Sequence, residues 1–204
     1  EGTDASQFVA NHSALPVAEA CEIARQTAVG LQSLHESGLI HRDVKPSNIR
    51  VTVDGVVKVL DLGLSRHLPG FAEVGDATAA NHVMGTHNYM SPEQIQSQQD
   101  IDQRSDIYSL GCTLYYLLTG RTPFVRDPKS NVVATLVAHC MQDIEPIRNL
   151  RQEIPEELER LIARMLARPR DERFASADEV AAALAPFASG ANLDALPQCS
   201  SVGD

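Results

Sequence analysis

"IHRDVKPSNIRV", residues 40–51, sets a histidine, an arginine, a carboxylate, a lysine and an amide between the apolar residues Ile40 and Ile49, and follows them with Arg50. The flanks decide what this polar stretch is. Upstream, Pro16 opens a helical pattern in which Val17, Ala20, Ala24, Ala28, Leu31 and Leu34 share one face, and Gly38 stands where a C-terminal cap belongs. Downstream, "IRVTV" and "VVKVL" surround Asp54-Gly55, a strong hairpin signal. Residues 41–48 therefore read as a loop between a long helix and a hairpin. Asp61 falls just past the second strand, facing that loop.

The rest of the chain is read as helical. "SDIYSLGCTLYYLLTG" is apolar nearly all round, which predicts a buried central helix with Ser105 or Asp106 near its start. "SNVVATLVAHCMQ", "PEELERLIARMLAR" and "SADEVAAALAPF" predict three more helices, with Pro155 opening one and Ser176 with Glu179 forming a capping box on the other. Residues 1–14 look irregular. Residues 63–92 read as a long loop, and a loop that long in a compact domain points to function or disorder. The chain from 188 to 204 reads as a linker or frayed tail. The expected fold class is mainly α (α+β), helices around one small β-hairpin.

Composition narrows the function. The chain has 204 residues and a formal net charge of −10, so it repels a phosphate backbone and general nucleic-acid binding is disfavoured. The four cysteines (Cys21, Cys112, Cys140, Cys199) show no C-x-x-C spacing and are expected to be reduced and unpaired. The seven histidines show no metal-ligand spacing. Nothing reads as a membrane span or signal peptide, so cytoplasmic placement without membrane contact is expected for this segment.

The order and spacing of the motifs carry more. H-R-D-x-K-x-x-x-N is His41, Arg42, Asp43, Lys45 and Asn48; then come D-L-G (Asp61, Leu62, Gly63), G-T-x-x-Y-M-S-P-E from Gly85 to Glu93, D-x-x-S-x-G from Asp106 to Gly111, and Arg173. This series resembles the protein kinase catalytic domain, specifically its helical C-terminal lobe, and is similar to bacterial eukaryotic-like Ser/Thr kinases over residues 1–187. The resemblance implies transfer of a phosphoryl group from ATP, with Mg²⁺, to a protein substrate. Asp43 would orient the attacking hydroxyl and accept its proton. Lys45 would set a positive charge on the transferring phosphate. Asn48 and Asp61 are hard oxygen ligands for Mg²⁺ against the ATP phosphates.

The same resemblance assigns supporting roles. His41 would pack under Leu62, Asp106 would accept hydrogen bonds from the loop backbone, and Glu93 would pair with Arg173. Thr86 would contact Asp43 and Lys45 and, with Lys45, mark Ser/Thr specificity. Arg42 implies regulation by a phosphate on the segment from Asp61 to Glu93, where Thr78 is the expected acceptor besides Ser65 and Thr86.

The departures matter too. No G-x-G-x-x-G, strand lysine or helix glutamate precedes His41, so the N-terminal lobe that completes an ATP cleft is expected to be missing and the isolated chain inactive. Arg50 stands where the family usually has an apolar floor under adenine. It could stack on adenine, snorkel outward, or impair adenine binding. Leu62 for Phe and Ser91 for Ala are milder changes. The competing reading is a pseudokinase or lobe-only module that docks partners through its helices. A small-molecule phosphotransferase is disfavoured by G-T-x-x-Y-M-S-P-E, which resembles a peptide platform.

Overall fold

The computed structural model describes residues 2–12, 14–61, 86–96, 101–124 and 131–196. Strand β1 (Gly2–Asp4) leads into helix α1 (Ala5–His12), and α2 spans Val17–Glu36. Strands β2 (Ile49–Thr52) and β3 (Val57–Val59) follow the polar loop. Then come a one-turn helix α3 (Pro92–Ile95), α4 (Arg104–Thr119), α5 (Val132–Met141), α6 (Glu156–Met165) and α7 (Ala177–Leu184). The fold is mainly helical with one antiparallel sheet of order β1-β2-β3.

Residues 2–12 correct the expectation of an irregular start. Asp4 caps α1 by accepting from the amides of Ser6 at 3.1 Å and Gln7 at 3.2 Å. Ala5, Phe8 and Val9 then bury one face. Eight residues show too few turns for periodicity to announce a helix. The far end of the chain is a second correction. Beyond α7 the expected tail is packed as far as Leu196, with Ala188 and Leu193 buried.

α4 is the core axis: thirteen of its sixteen residues are buried. α2, α6 and α7 pack around it, and α2 also packs against α7. Gly111 is where α6 comes closest, since a Cβ there would sit 3.0 Å from side-chain atoms of Met165 and Leu166. α2 ends in a Schellman motif: Gly38, at φ +74°, donates to His35 O at 2.9 Å and Leu39 donates to Leu34 O at 3.3 Å. That end aims the chain back across the molecule and starts the polar loop.

His139 on α5 is buried against α4. Its Nδ1 lies 2.9 Å from the Tyr108 hydroxyl and its ring is 4.5 Å from that of Phe124. Burial, helped by the nearby His87, pushes its imidazole down to about 3. An unfolded histidine titrates near 6.5, so between about pH 6.5 and 3 the unfolded chain takes up a proton that the fold refuses. Stability therefore falls as pH drops through that window, by on the order of a few kcal/mol. His139→Asn is expected to cost stability at pH 7 but to flatten this slope, so the gap from the parent narrows toward pH 4. Urea melts of both proteins check this; parallel curves would show that His139 contributes nothing to the acid response.

Candidate active site

The loop is fixed from below by α4. Asp106, fully buried near the start of that helix, accepts from three groups: the His41 amide at 2.9 Å, the Arg42 amide at 2.8 Å and His35 Nε2 at 2.8 Å. His41 is buried; the Asp43 amide donates to its Nδ1 at 3.3 Å, which leaves Nε2 to donate to Leu60 O at 2.9 Å. One imidazole thus ties the loop to the strand end that carries Asp61. Arg42 holds a left-handed conformation, φ +64°, unusual for a non-glycine residue. Its amide is pinned by Asp106, and its carbonyl accepts from Gln94 Nε2 at 2.9 Å. Its side chain projects to the surface.

Val44 buries into the core and anchors the middle of the loop. On either side of it stand the polar groups. Lys45 Nζ donates to Asp43 Oδ2 at 2.9 Å and to Thr86 Oγ1 at 2.8 Å. Asn48 Nδ2 donates to Asp43 O at 2.9 Å and Asp43 Oδ2 at 3.1 Å. A 3₁₀ turn over Pro46–Asn48 makes this possible, because it folds Asn48 back over Asp43. The Asn48 amide nitrogen is thereby committed, and its oxygen is the atom left for a cation. The Leu60 amide donates to Asn48 O at 2.8 Å, and Asp61 is the next residue, two past the end of β3. Asp61 is exposed with φ +54°, a conformation aspartate tolerates better than most residues.

Strand alternation accounts for Arg50. Ile49 and Val51 face the core, and Arg50 between them faces out. Its cross-strand neighbours are Asp4 on β1 and Lys58 on β3, one opposite charge and one like charge.

The Thr86–Tyr89 turn and α3 form the other wall. Ser109 on α4 donates to Tyr89 O at 2.7 Å. Ser91 caps α3 in a reciprocal capping box: it accepts from the Gln94 amide at 3.4 Å, and Gln94 Oε1 accepts from the Ser91 amide at 3.0 Å. Alanine at this position would lack the capping hydroxyl. Gln94 is also the residue that holds the Arg42 carbonyl, so the cap and the loop are one network. Behind α3, Glu93 and Arg173 form a buried bidentate pair at 2.7 and 2.9 Å.

The structure brings together Asp43, Lys45, Asn48 and Thr86, puts Asp61 one residue past the Leu60 that donates to Asn48 O, and ties the loop through His41, Arg42 and Asp106. Glu93 and Arg173 stand apart from this group. Leu62, Gly63, Ser65 and Thr78 lie outside the described residues. Two residues of the network were not singled out in the sequence. His35 occupies a helix face like any other polar residue, and Gln94 lies in a segment read only as a motif. Their partners are far along the chain, so no local pattern marks them.

The family model for the protein kinase domain matches residues 1–184. The serine/threonine-protein kinase PknB of Mycolicibacterium smegmatis is 39% identical over 175 residues, 85% of this chain and 27% of that protein. PknB of Mycobacterium leprae is 35% identical over 190 residues, 93% of this chain and 29% of that protein. The probable serine/threonine-protein kinase CPE1738 of Clostridium perfringens is 37% identical over 180 residues, 88% of this chain and 25% of that protein. The chain thus spans about a quarter of the length of these curated relatives. With the domain match covering most of its residues and the clustered loop in place, this chain belongs to the protein kinase domain family.

Proposed function

We propose that the chain is the C-terminal lobe of a Ser/Thr protein kinase and takes part in moving the terminal phosphoryl group of ATP, with Mg²⁺, onto serine and threonine hydroxyls of a protein. The observation that carries this reading is the buried bridge of Lys45 Nζ between Asp43 Oδ2 and Thr86 Oγ1. It couples the carboxylate suited to accept a hydroxyl proton to the lysine suited to meet a phosphate. A solvated surface loop has no reason to bury an ammonium in that position.

Each side chain then has a task. Asp43 orients the hydroxyl and takes its proton as the oxygen attacks. Two of the three Lys45 donors hold Asp43 and Thr86, and the third serves a phosphate oxygen. Asn48, through its amide oxygen, and Asp61 would hold Mg²⁺; the donor set fits a hard cation. When bound, the metal would draw charge from the phosphoryl group in flight. Asp106 and His41 keep the loop in register, so little reorganisation is needed when substrates arrive.

The 204 residues contain no Gly-rich phosphate loop ahead of His41, so the isolated chain is expected to bind ATP weakly and turn over little or none. One feature favours a second reading, a docking module. On α5, Val133 is 57% exposed, Val137 47% and Met141 74%, an apolar stripe at i, i+4, i+8. Calorimetric titration of Mg-ATP into the product of the whole reading frame separates the two. Binding that Asn48→Ala weakens about tenfold or more supports the enzyme. A folded product that takes no Mg-ATP sinks it in favour of the module.

A further inference from the structure

The β2–β3 hairpin holds Asn48 at one end, with Asp61 just past β3, and its turn lies at the other end. Short hairpins are marginal on their own. β1 covers one edge of β2, but β3 is the outer strand of the sheet. A side chain serves that edge instead: the Val57 amide donates to Gln26 Oε1 at 2.9 Å, and Gln26 Nε2 donates to Gly55 O at 3.3 Å. Gln26 is itself held by Glu22 one turn back, at 2.9 Å.

The turn is closed by the segment expected to be a tail. Thr52 donates to Val56 O at 2.8 Å, and Gly55 takes φ +72° between them. Leu193 packs closely on this turn: a Cβ on Gly55 would lie 3.3 Å from Leu193 Cβ and 3.4 Å from the Asp194 amide nitrogen. Leu193 is 5% exposed. Its segment is turned by Ala191 donating to Ala188 O at 3.1 Å and Leu196 donating to Leu193 O at 3.3 Å. The Asn192 amide reaches Glu19 on α2 at 3.4 Å. So α2 supports the hairpin on one side with Gln26 and tethers the segment that seats Leu193 on its turn.

We infer that the segment Ala188–Leu196 positions the hairpin, and through it Asn48 and Asp61, with Leu193 as the positioning residue. What Asn48 and Asp61 hold rests on the kinase reading; the coupling of the segment to the hairpin does not. If the turn loosens, the ladder unzips toward its last bond, Leu60 to Asn48 O, which sets the spacing of the two residues.

Residue-resolved amide exchange by NMR on the full 204-residue chain tests this. In Leu193→Asp, the Val57 and Leu60 amides should exchange about tenfold faster or more, while amides in the middle of α4 keep the parent rate. Leu193→Ala should give a smaller acceleration at the same amides, and Leu193→Met should restore parent protection. If Leu193→Asp fails to fold, Leu193→Ala decides on the same amides. Unchanged Leu60 exchange with a freed Leu196 amide would overturn the inference, because the segment then rests on the hairpin without positioning it. Equal acceleration throughout α4 would overturn it too, by making Leu193 ordinary core. Loss of the kinase reading is seen separately, as absence of Mg-ATP binding, and leaves these rates as they are.

Discussion

Arg173→Met should lower the free energy of unfolding by about 3–5 kcal/mol, the cost of leaving one partner of a buried ion pair alone. Every N–H of this guanidinium is placed. Nε donates to Ala167 O at 2.7 Å; Nη1 to Glu93 Oε1 at 2.7 Å and Arg104 O at 3.0 Å; Nη2 to Glu93 Oε2 at 2.9 Å and Arg168 O at 3.0 Å. The planar group also lies 4.9 Å from the Tyr108 ring centroid. Methionine refills the volume but strands a carboxylate and three carbonyls. In a chain this size the loss is on the order of 10 °C in melting temperature. Adding Glu93→Leu should recover part of it, since no lone charge remains. Guanidinium melts of the three proteins check both statements. A loss below about 1 kcal/mol for Arg173→Met would mean that water reaches Glu93 and the pair is not buried in solution.

Asp106→Asn should damage the loop more than its size suggests. The two oxygens of Asp106 receive the amides of His41 and Arg42 and the ring of His35, all within 2.9 Å. Asparagine offers one oxygen and one NH₂, so at least one buried donor is turned against another donor. That costs about 2–4 kcal/mol. It also releases the left-handed Arg42, and with it the placement of Asp43. Misplacement of that order costs about a hundredfold in turnover in an active protein. The expected signature is faster exchange at the His41 and Arg42 amides with α6 and α7 unchanged. Parent-like exchange at those amides would show that Asp106 is not what holds the loop.

What was legible in the sequence is what neighbours decide. Gly38 gives a Schellman end because only a residue free to take positive φ closes α2 there. Asp54-Gly55 gives the turn for the same reason. The apolar wrap of 105–118 announces a core helix because no face of it can meet water. Ser176 was half right: it accepts from the Glu179 amide at 3.2 Å, but Glu179 reaches back to the Ala175 amide instead of its own cap. The motif spacing located Asp43, Lys45 and Asn48, which the fold does bring together.

What was missed depends on distance along the chain. His35 and Asp106 are 71 positions apart, and Gln94 reaches Arg42 across 52. Their pairing needs the whole fold and leaves no trace in either local pattern. The segment at 188–196 is mostly small and polar residues, which reads as linker, yet Ala188 and Leu193 are buried and Leu196 packs on the core. Arg50, the departure from the family noted in the sequence, is a matter of alternation: it faces out between two inward residues.

Asp43 is proposed as the proton acceptor of a Ser/Thr kinase. The most direct measurement is transfer of radiolabelled phosphate from ATP to serine and threonine peptides by the product of the whole reading frame, with and without Asp43→Asn. Mg²⁺-dependent labelling of the hydroxyl peptides is expected, with none of their alanine counterparts and a loss of about a thousandfold or more in the folded Asp43→Asn protein. Labelling at the parent rate by Asp43→Asn, or none by a folded parent, would contradict it.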